Sequence, residues 1–283
     1  MAGFDAEISC LALSPGGARA VGVQGEGIRI LDGRHKRANL SAKHFGHASA
    51  AIFVDEDTLV VACASASFPP ARWQHDLMSL GSSGSVHRVD LATGAEIRLG
   101  DGLAFPAGLA LSSSGDVLVS EAWRHRILEI PLSGGSSRVV LDHLPAYPGR
   151  ISSARDGGYW IAMFAVRNQL VEFVLRERGY CEEMMRTIEP ENWIAPALAS
   201  GRNYHEVLQG GAVKQMGVLK PWAPTRSYGL LARCDSGMRI IGSHHSRADG
   251  RMHGLTSVID TGAGVFASAK GGNAILAIEE DRP

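Results

Sequence analysis

The densest run of chemistry-bearing side chains in this sequence is Ser243-His-His-Ser-Arg-Ala-Asp-Gly-Arg-Met-His253. Histidine is the side chain whose ordinary pKa lies nearest neutral pH, so His253 is the first candidate for proton transfer, with His244 and His245 behind it. Imidazole also suits zinc and iron. Adjacent histidines on an extended chain point to opposite faces, however, which argues against His244, His245 and His253 sharing one ion. The guanidinium of Arg150 could grip a carboxylate or an oxyanion, and the hydroxyl of Tyr228 could donate to the same group. The plainer reading is an ion pair for Arg150 and a packing position for Tyr228. Trp73, His75 and Asp76 offer an aromatic wall and a His/Asp pair, although a Trp that anchors a long loop is the commoner case. Glu121 and Arg126 read as a structural pair. No G-x-S-x-G elbow, P-loop or complete dinucleotide fingerprint occurs, and Gly262-Ala-Gly-Val-Phe lacks the third glycine.

Composition narrows the setting for these groups. The chain has 283 residues, with 28 Lys+Arg against 29 Asp+Glu. That balance, without a block of like charge, excludes the electrostatic footprint of a nucleic-acid or anionic-membrane binder. No apolar run reaches the roughly 18 residues of a membrane span, and the first residues have neither the basic nor the apolar region of a signal peptide. Cys10, Cys63, Cys181 and Cys234 are far apart and form no C-x-x-C pair, which argues against a disulfide framework or a structural zinc. A cytoplasmic location is expected.

The elements that must position the candidates come from a repeat. A short apolar strand, a Gly/Asp/Ser turn, a second Val/Ile/Leu-rich strand and one or two more recur near Ile8, Ser49, Gly108, Ile151 and Leu255. Units of this length, each unable to bury its faces alone, predict an all-β fold: a β-propeller of four-stranded blades, with five units countable, as a single domain over 1–283. Two insertions, 63–83 and 164–227, fall between second and third strands. The second begins helically, with Leu170, Val171, Val174, Leu175, Met184, Met185 and Ile188 in helix-like spacing before Pro190 and Pro196. Strand 2 to 3 loops and strand 4 to 1 crossovers emerge on one face, so both insertions are expected to form lids over one mouth.

Several stretches resemble strictosidine-synthase-like proteins, within the wider gluconolactonase and paraoxonase superfamily of six-bladed propellers. They are Leu103-Ala-Phe-Pro-Ala-Gly108, Val119-Ser-Glu-Ala-Trp-Arg-His-Arg-Ile127, Leu144-Pro-Ala-Tyr-Pro-Gly-Arg-Ile151 with Asp156-Gly-Gly-Tyr-Trp160, and Arg251-Met-His-Gly-Leu-Thr-Ser-Val258. Trp73 to Leu77 followed by Gly84-Ser-Val-His-Arg-Val-Asp90 fits the same pattern. The resemblance implies a channel calcium held by a Glu, two Asn and an Asp in the hydrolases of the superfamily. Here Ala48, Ala107 and Gly149 stand where three of those ligands belong, and Glu7 is a weak substitute for the fourth. A hard cation needs several converging oxygens, so no metal and no other cofactor is expected. Small residues at these positions suggest an open channel, or one partly filled by Arg150. Strictosidine synthase works without a metal through a Glu whose position corresponds here to Thr256 or Ser257, neither of them an acid or base near neutral pH.

One fold hosts many chemistries. The expectation is a small-molecule enzyme, a metal-independent hydrolase of a lactone or ester. His253 would move protons, and Arg150 with Tyr228 would stabilise an oxyanion, while Trp73, His75, Asp76, His245, Ala107 and Thr256 would contact substrate. A non-catalytic ligand-binding propeller and a condensing or isomerising enzyme remain as alternatives. The expected partner is a small molecule, with no nucleic acid and no membrane. Five units against the family's six leave two options: a five-bladed ring, or a ring whose first blade is missing, which would expose strand edges and invite a homodimer.

Overall fold

Short β-branched and apolar runs separated by Gly, Asp and Ser turns become antiparallel strands along the chain, as their composition predicts. The computed structural model describes residues 3–200, 214–215, 218–219, 226–247 and 250–279. It divides into two units, Met1–Asp142 and His143–Pro283.

The first unit holds three four-stranded antiparallel blades. Ile8–Leu13 (β1), Arg19–Val23 (β2), Gly27–Ile30 (β3) and Asn39–Ser41 (β4) form the first, followed by a one-turn helix, Ala42–Phe45 (α1). Ala48–Phe53 (β5), Thr58–Cys63 (β6), Gly84–Asp90 (β7) and Glu96–Leu103 (β8) form the second, with the helix Trp73–Met78 (α2) in the loop between β6 and β7. Pro106–Leu111 (β9), Val117–Glu121 (β10), Arg126–Ile130 (β11) and Arg138–Leu141 (β12) form the third. The strand β6 shows why its sequence is apolar without alternation. Leu59, Val61 and Cys63 pack into a core shared with Cys10, Ala12 and Ile28 of the first blade, while Val60 and Ala62 pack with Leu109, Val117 and Val119 of the third. Successive side chains leave opposite faces of a strand, and both faces of this blade are covered. The turn before β6 is closed by Asp55, whose Oδ1 accepts from the amides of Asp57 at 2.8 Å and Thr58 at 2.7 Å.

In the second unit, Ala146–Ser153 (β13), Tyr159–Val166 (β14), a short hairpin of Lys214–Gln215 (β15) and Val218–Leu219 (β16), then Leu230–Cys234 (β17) and Ile240–His245 (β18) follow in order. β13, β14, β17 and β18 make the fourth blade. Leu255–Thr261 (β19), Gly264–Ala269 (β20) and Ala274–Ile278 (β21) make the fifth, three-stranded among the described residues. Trp160, Ala162 and Leu231 of the fourth blade share a core with Leu255, Val258, Val265 and Ala267 of the fifth. The insertion after β14 starts with Gln169–Val174 (α3), capped by the side chain of Asn168, and Arg178–Thr187 (α4). Val171, Val174, Cys181, Met184, Trp193 and Ala195 are among its buried apolar residues.

The chain is thus an all-β protein of four-stranded propeller blades with a partly helical insertion. Three details depart from the strand pattern read in the sequence. β4 completes the first blade although Asn39-Leu-Ser41 carries almost no β signal; it is paired by register, with Ile28 opposite Leu40. β13 begins at Ala146, so Pro148, Gly149 and Arg150 lie within the strand, where irregular register beside Pro148 accommodates a residue with no amide to donate. β18 runs to His245, so the polar run Ser243–His253 begins inside a strand, because Ser243, His244 and His245 pair with Ala232, Leu231 and Leu230. Among the described residues no helix is long and apolar enough to cross a membrane.

Candidate functional site

His253 sits at the entry to β19, in a turn closed by Gly254 at φ 66°, and is 2% exposed. Its Nε2 lies 2.8 Å from the Arg247 carbonyl and its Nδ1 2.8 Å from Ser227 Oγ. A carbonyl only accepts, so Nε2 carries the proton, and in the neutral ring Nδ1 accepts from the Ser227 hydroxyl. Ser227 is 0% exposed, and its Oγ is also 2.6 Å from Ser200 Oγ. Because the Ser227 hydrogen is directed at His253, Ser200 donates to Ser227. The result is a chain of hydroxyls ending on an imidazole that is oriented by a backbone carbonyl.

The neighbouring groups converge on the same end of the fourth blade. The Tyr228 ring is 6.1 Å from the His253 ring, and its hydroxyl is 3.3 Å from His245 Nδ1, whose Nε2 is 2.9 Å from Ser243 Oγ. His244 turns the other way, its ring 5.5 Å from Trp160, as alternation along β18 requires. The segment before Ser200 is held close to the His253 turn. The Ala197 amide donates to Arg226 O at 3.3 Å, and the buried Arg226 guanidinium donates to the carbonyls of Glu191 at 3.0 Å and Trp193 at 3.3 Å. The Leu198 backbone approaches Gly271 so closely that a Cβ there would overlap its carbonyl oxygen.

The other expected site residues are placed as follows. Arg150 is half-buried in β13, next to Gly149, whose Cα lies against the Thr256 carbonyl of β19. Thr256 Oγ1 is 3.0 Å from Ser268 Oγ, and Ser257 Oγ 2.6 Å from the same atom. In the first unit, Asp76 is 2% exposed and accepts from Trp123 Nε1 at 2.7 Å. Trp123 stacks on Phe105 at 4.3 Å and faces Trp73 at 6.2 Å. His75 turns to Phe68 at 5.8 Å, so Asp76 anchors α2 to the third blade while His75 faces another way. Burial, reinforced by the nearby Arg72 charge, holds the His75 ring below the usual histidine range. Glu121 is fully buried and accepts from Arg126 at 2.6 Å and Arg124 at 2.5 Å.

Ala48, Ala107 and Gly149 have no side-chain oxygen to offer a cation. Ala48 and Gly149 are buried and Ala107 is half-exposed. The reason is close packing of the inner strands: Ser49, next to Ala48, donates across to the Pro106 carbonyl at 2.5 Å. Among the described residues no three His, Cys, Asp or Glu side chains converge as a metal-binding group.

A second polar site escaped sequence reasoning. A cleft of about 550 Å³ in the first unit is lined by His44, His47, Cys63, Ser85, His87 and Glu96 among others. Glu96 lies between two imidazoles, 2.8 Å from His44 Nδ1 and 2.7 Å from His87 Nδ1. The second contact is out of line for a hydrogen bond, and His87 Nε2 engages Ser85 Oγ at 2.7 Å. Burial pushes His87 below the usual histidine range against the pull of Glu96. Burial would raise Glu96, but the His44 hydrogen bond and the two imidazoles outweigh it and hold the carboxyl below the usual range. Cys63 is no nucleophile: burial raises its thiol to about 12. No local motif marks this cluster, since α1, β6, β7 and β8 supply it from distant positions.

Residues 103–129 match the NHL repeat family. The chain is 34% identical over 106 residues to an adipocyte plasma membrane-associated protein of Danio rerio, a match covering 34% of this chain and 26% of the relative. It is 26% identical over 134 residues to strictosidine synthase-like 10 of Arabidopsis thaliana, covering 46% of this chain and 36% of that one. The matched segment is thus about a quarter to a third of the length of these relatives. A luciferin-regenerating enzyme has a similar structure, with a TM-score of 0.53 and 12% identity over 93% of this chain and 70% of that one, a likeness of fold alone. The class is therefore a β-propeller. Within it, the matched segment is similar in sequence to strictosidine synthase-like 10, in keeping with the motifs quoted above.

Proposed function

We propose that this chain is a metal-independent hydrolase of a small lactone or ester, with His253 as the group that moves the proton. The observation that carries the reading is the buried Ser227–His253 hydrogen bond, with the far side of the ring fixed by the Arg247 carbonyl. A base held in one orientation by a third group, within reach of a hydroxyl, is the arrangement that activates an oxygen nucleophile. Tyr228, beside the ring, and Arg150, on the adjoining inner strand, are the groups proposed to meet the oxyanion. The replaced ligand positions Ala48, Ala107 and Gly149 support independence from metal. Four buried cysteines, none of them in a disulfide, support a cytoplasmic setting.

A non-catalytic ligand-binding role is the second reading, favoured by the polar cleft around Glu96, which has the size of a small-molecule site. Hydrolysis of a panel of lactones and aryl esters, before and after exhaustive chelation, separates the two, with His253→Ala as control. Turnover that survives chelation and falls in the variant is expected. Turnover abolished by chelation would overturn the metal-free assignment. Absence of turnover, with a ligand bound equally by both proteins, would leave the binding role.

A further inference from the structure

We propose that Ser200 is the nucleophile of this site and that Ser227 relays its proton to His253, so that acyl transfer from a carboxylic ester or lactone proceeds through an acyl-Ser200 intermediate. This rests on the hydrolase reading above and names the atom that attacks.

Ser227 is the hydroxyl in contact with the base, yet it is fully buried, and no carbonyl carbon can reach its Oγ. Ser200 is one hydrogen bond further out, 2.6 Å from Ser227, and half-exposed. Donor and acceptor counting gives the chain a single direction. Arg247 O accepts from His253 Nε2, His253 Nδ1 accepts from Ser227, and Ser227 accepts from Ser200. Each transfer along it moves a proton toward the imidazole.

Position is the second element. Ser200 ends a stretch that the fold fixes tightly: the Arg226 guanidinium clamps the carbonyls of Glu191 and Trp193, and the Ala197 amide bonds the Arg226 carbonyl. Glycines at 254 and 271 then let the Leu198 backbone approach the His253 turn, where any Cβ would force it away. A half-exposed serine held by this much buried structure is pre-organised for attack.

The chemistry balances without a co-reactant other than water. Ser200 Oγ bonds to the substrate carbonyl carbon while that carbonyl's π pair moves onto its oxygen. The Ser200 proton passes to Ser227 as the Ser227 proton passes to His253 Nδ1, leaving an imidazolium whose second N–H stays on the Arg247 carbonyl. Collapse breaks the bond to the leaving oxygen, which takes a proton from Ser227 as His253 returns its own. Water then attacks the acyl-Ser200 carbonyl, giving its proton to the same relay, and the acid departs with Ser200 restored.

The test is intact-mass and peptide analysis after acid quench from a chromogenic acetate ester, alongside steady-state turnover. An acetyl group on the peptide carrying Ser200 is expected. It should be absent in Ser200→Ala, with turnover down by about 10³-fold, and return as a thioester in Ser200→Cys, which also guards against a folding artefact. An adduct on Ser227, or full turnover in Ser200→Ala while His253→Ala is dead, would overturn the Ser200 assignment and leave the hydrolase reading standing. A wild-type protein that neither turns over any ester nor acquires an adduct would remove both.

Discussion

Histidine is put to opposite uses in the two units. In the first, His44 and His87 flank a carboxylate in an open cleft, with His44 about half exposed. In the second, His253 is closed off from solvent and bonded to two neutral groups, a serine hydroxyl and a backbone carbonyl. The difference teaches which property each site can control. A solvent-open ion pair contributes little to stability and responds to pH and salt. A buried, singly oriented ring contributes directional proton transfer, and each of its partners is costly to remove.

The largest effect expected from this contrast is on rate. His253→Ala should lower ester turnover by about 10²- to 10⁴-fold, whereas His44→Gln should leave it unchanged, by steady-state kinetics on the same substrate. Equal losses in both variants would break the distinction between the sites.

Next is stability. Ser227→Ala leaves His253 Nδ1 buried without its donor and should cost about 1–3 kcal/mol in denaturant unfolding. Asp76→Ala should cost a similar amount, about 1–3 kcal/mol, by removing the buried acceptor of Trp123 Nε1. His44→Gln, at a half-exposed pair, should cost about 1 kcal/mol or less. A cleft substitution as damaging as Ser227→Ala would show that the open cluster carries more of the fold than its exposure implies.

The smallest effect is pH-dependent and belongs to the cleft. His87 is held below its usual 6.5 in the folded protein, so as the pH falls from 6.5 the unfolded chain takes up a proton that the folded chain resists. Glu96 is held below its usual 4.5, so its contribution is present above 4.5 and lost as the pH falls through the lower folded value. Both signs run the same way, and acid destabilises. Thermal unfolding followed from pH 7 downward should show His87→Gln with a flatter slope than wild type just below 6.5. An unchanged slope would mean that His87 is not the group titrating there.

Much of the scaffold was legible because strands announce themselves locally. Leu59-Val-Val-Ala-Cys63 is a strand in any environment that covers both faces, and the turns around Asp55 and Gly158 bracket it and its counterparts. β4 was hidden because Asn39-Leu-Ser41 becomes a strand only by pairing with β3. His253, Tyr228 and His245 could be singled out by type and by proximity in sequence, and the fold brings them together. Ser227 and Ser200 could not, since serine is common and neither lies in a nucleophile motif. Glu96 with His44 and His87 left no trace either, being joined across 52 residues in one contact.

By itself the sequence determined the all-β blade pattern and the places of the two insertions, because strand period and turn residues are local properties. The tertiary structure alone decided which hydroxyl meets His253, that Asp76 turns inward to Trp123, and that two distant histidines close on one carboxylate. Those outcomes depend on blade register and on how closely backbones approach at positions such as Gly254 and Gly271, and hydrogen bonds form or fail over distances that no local pattern encodes.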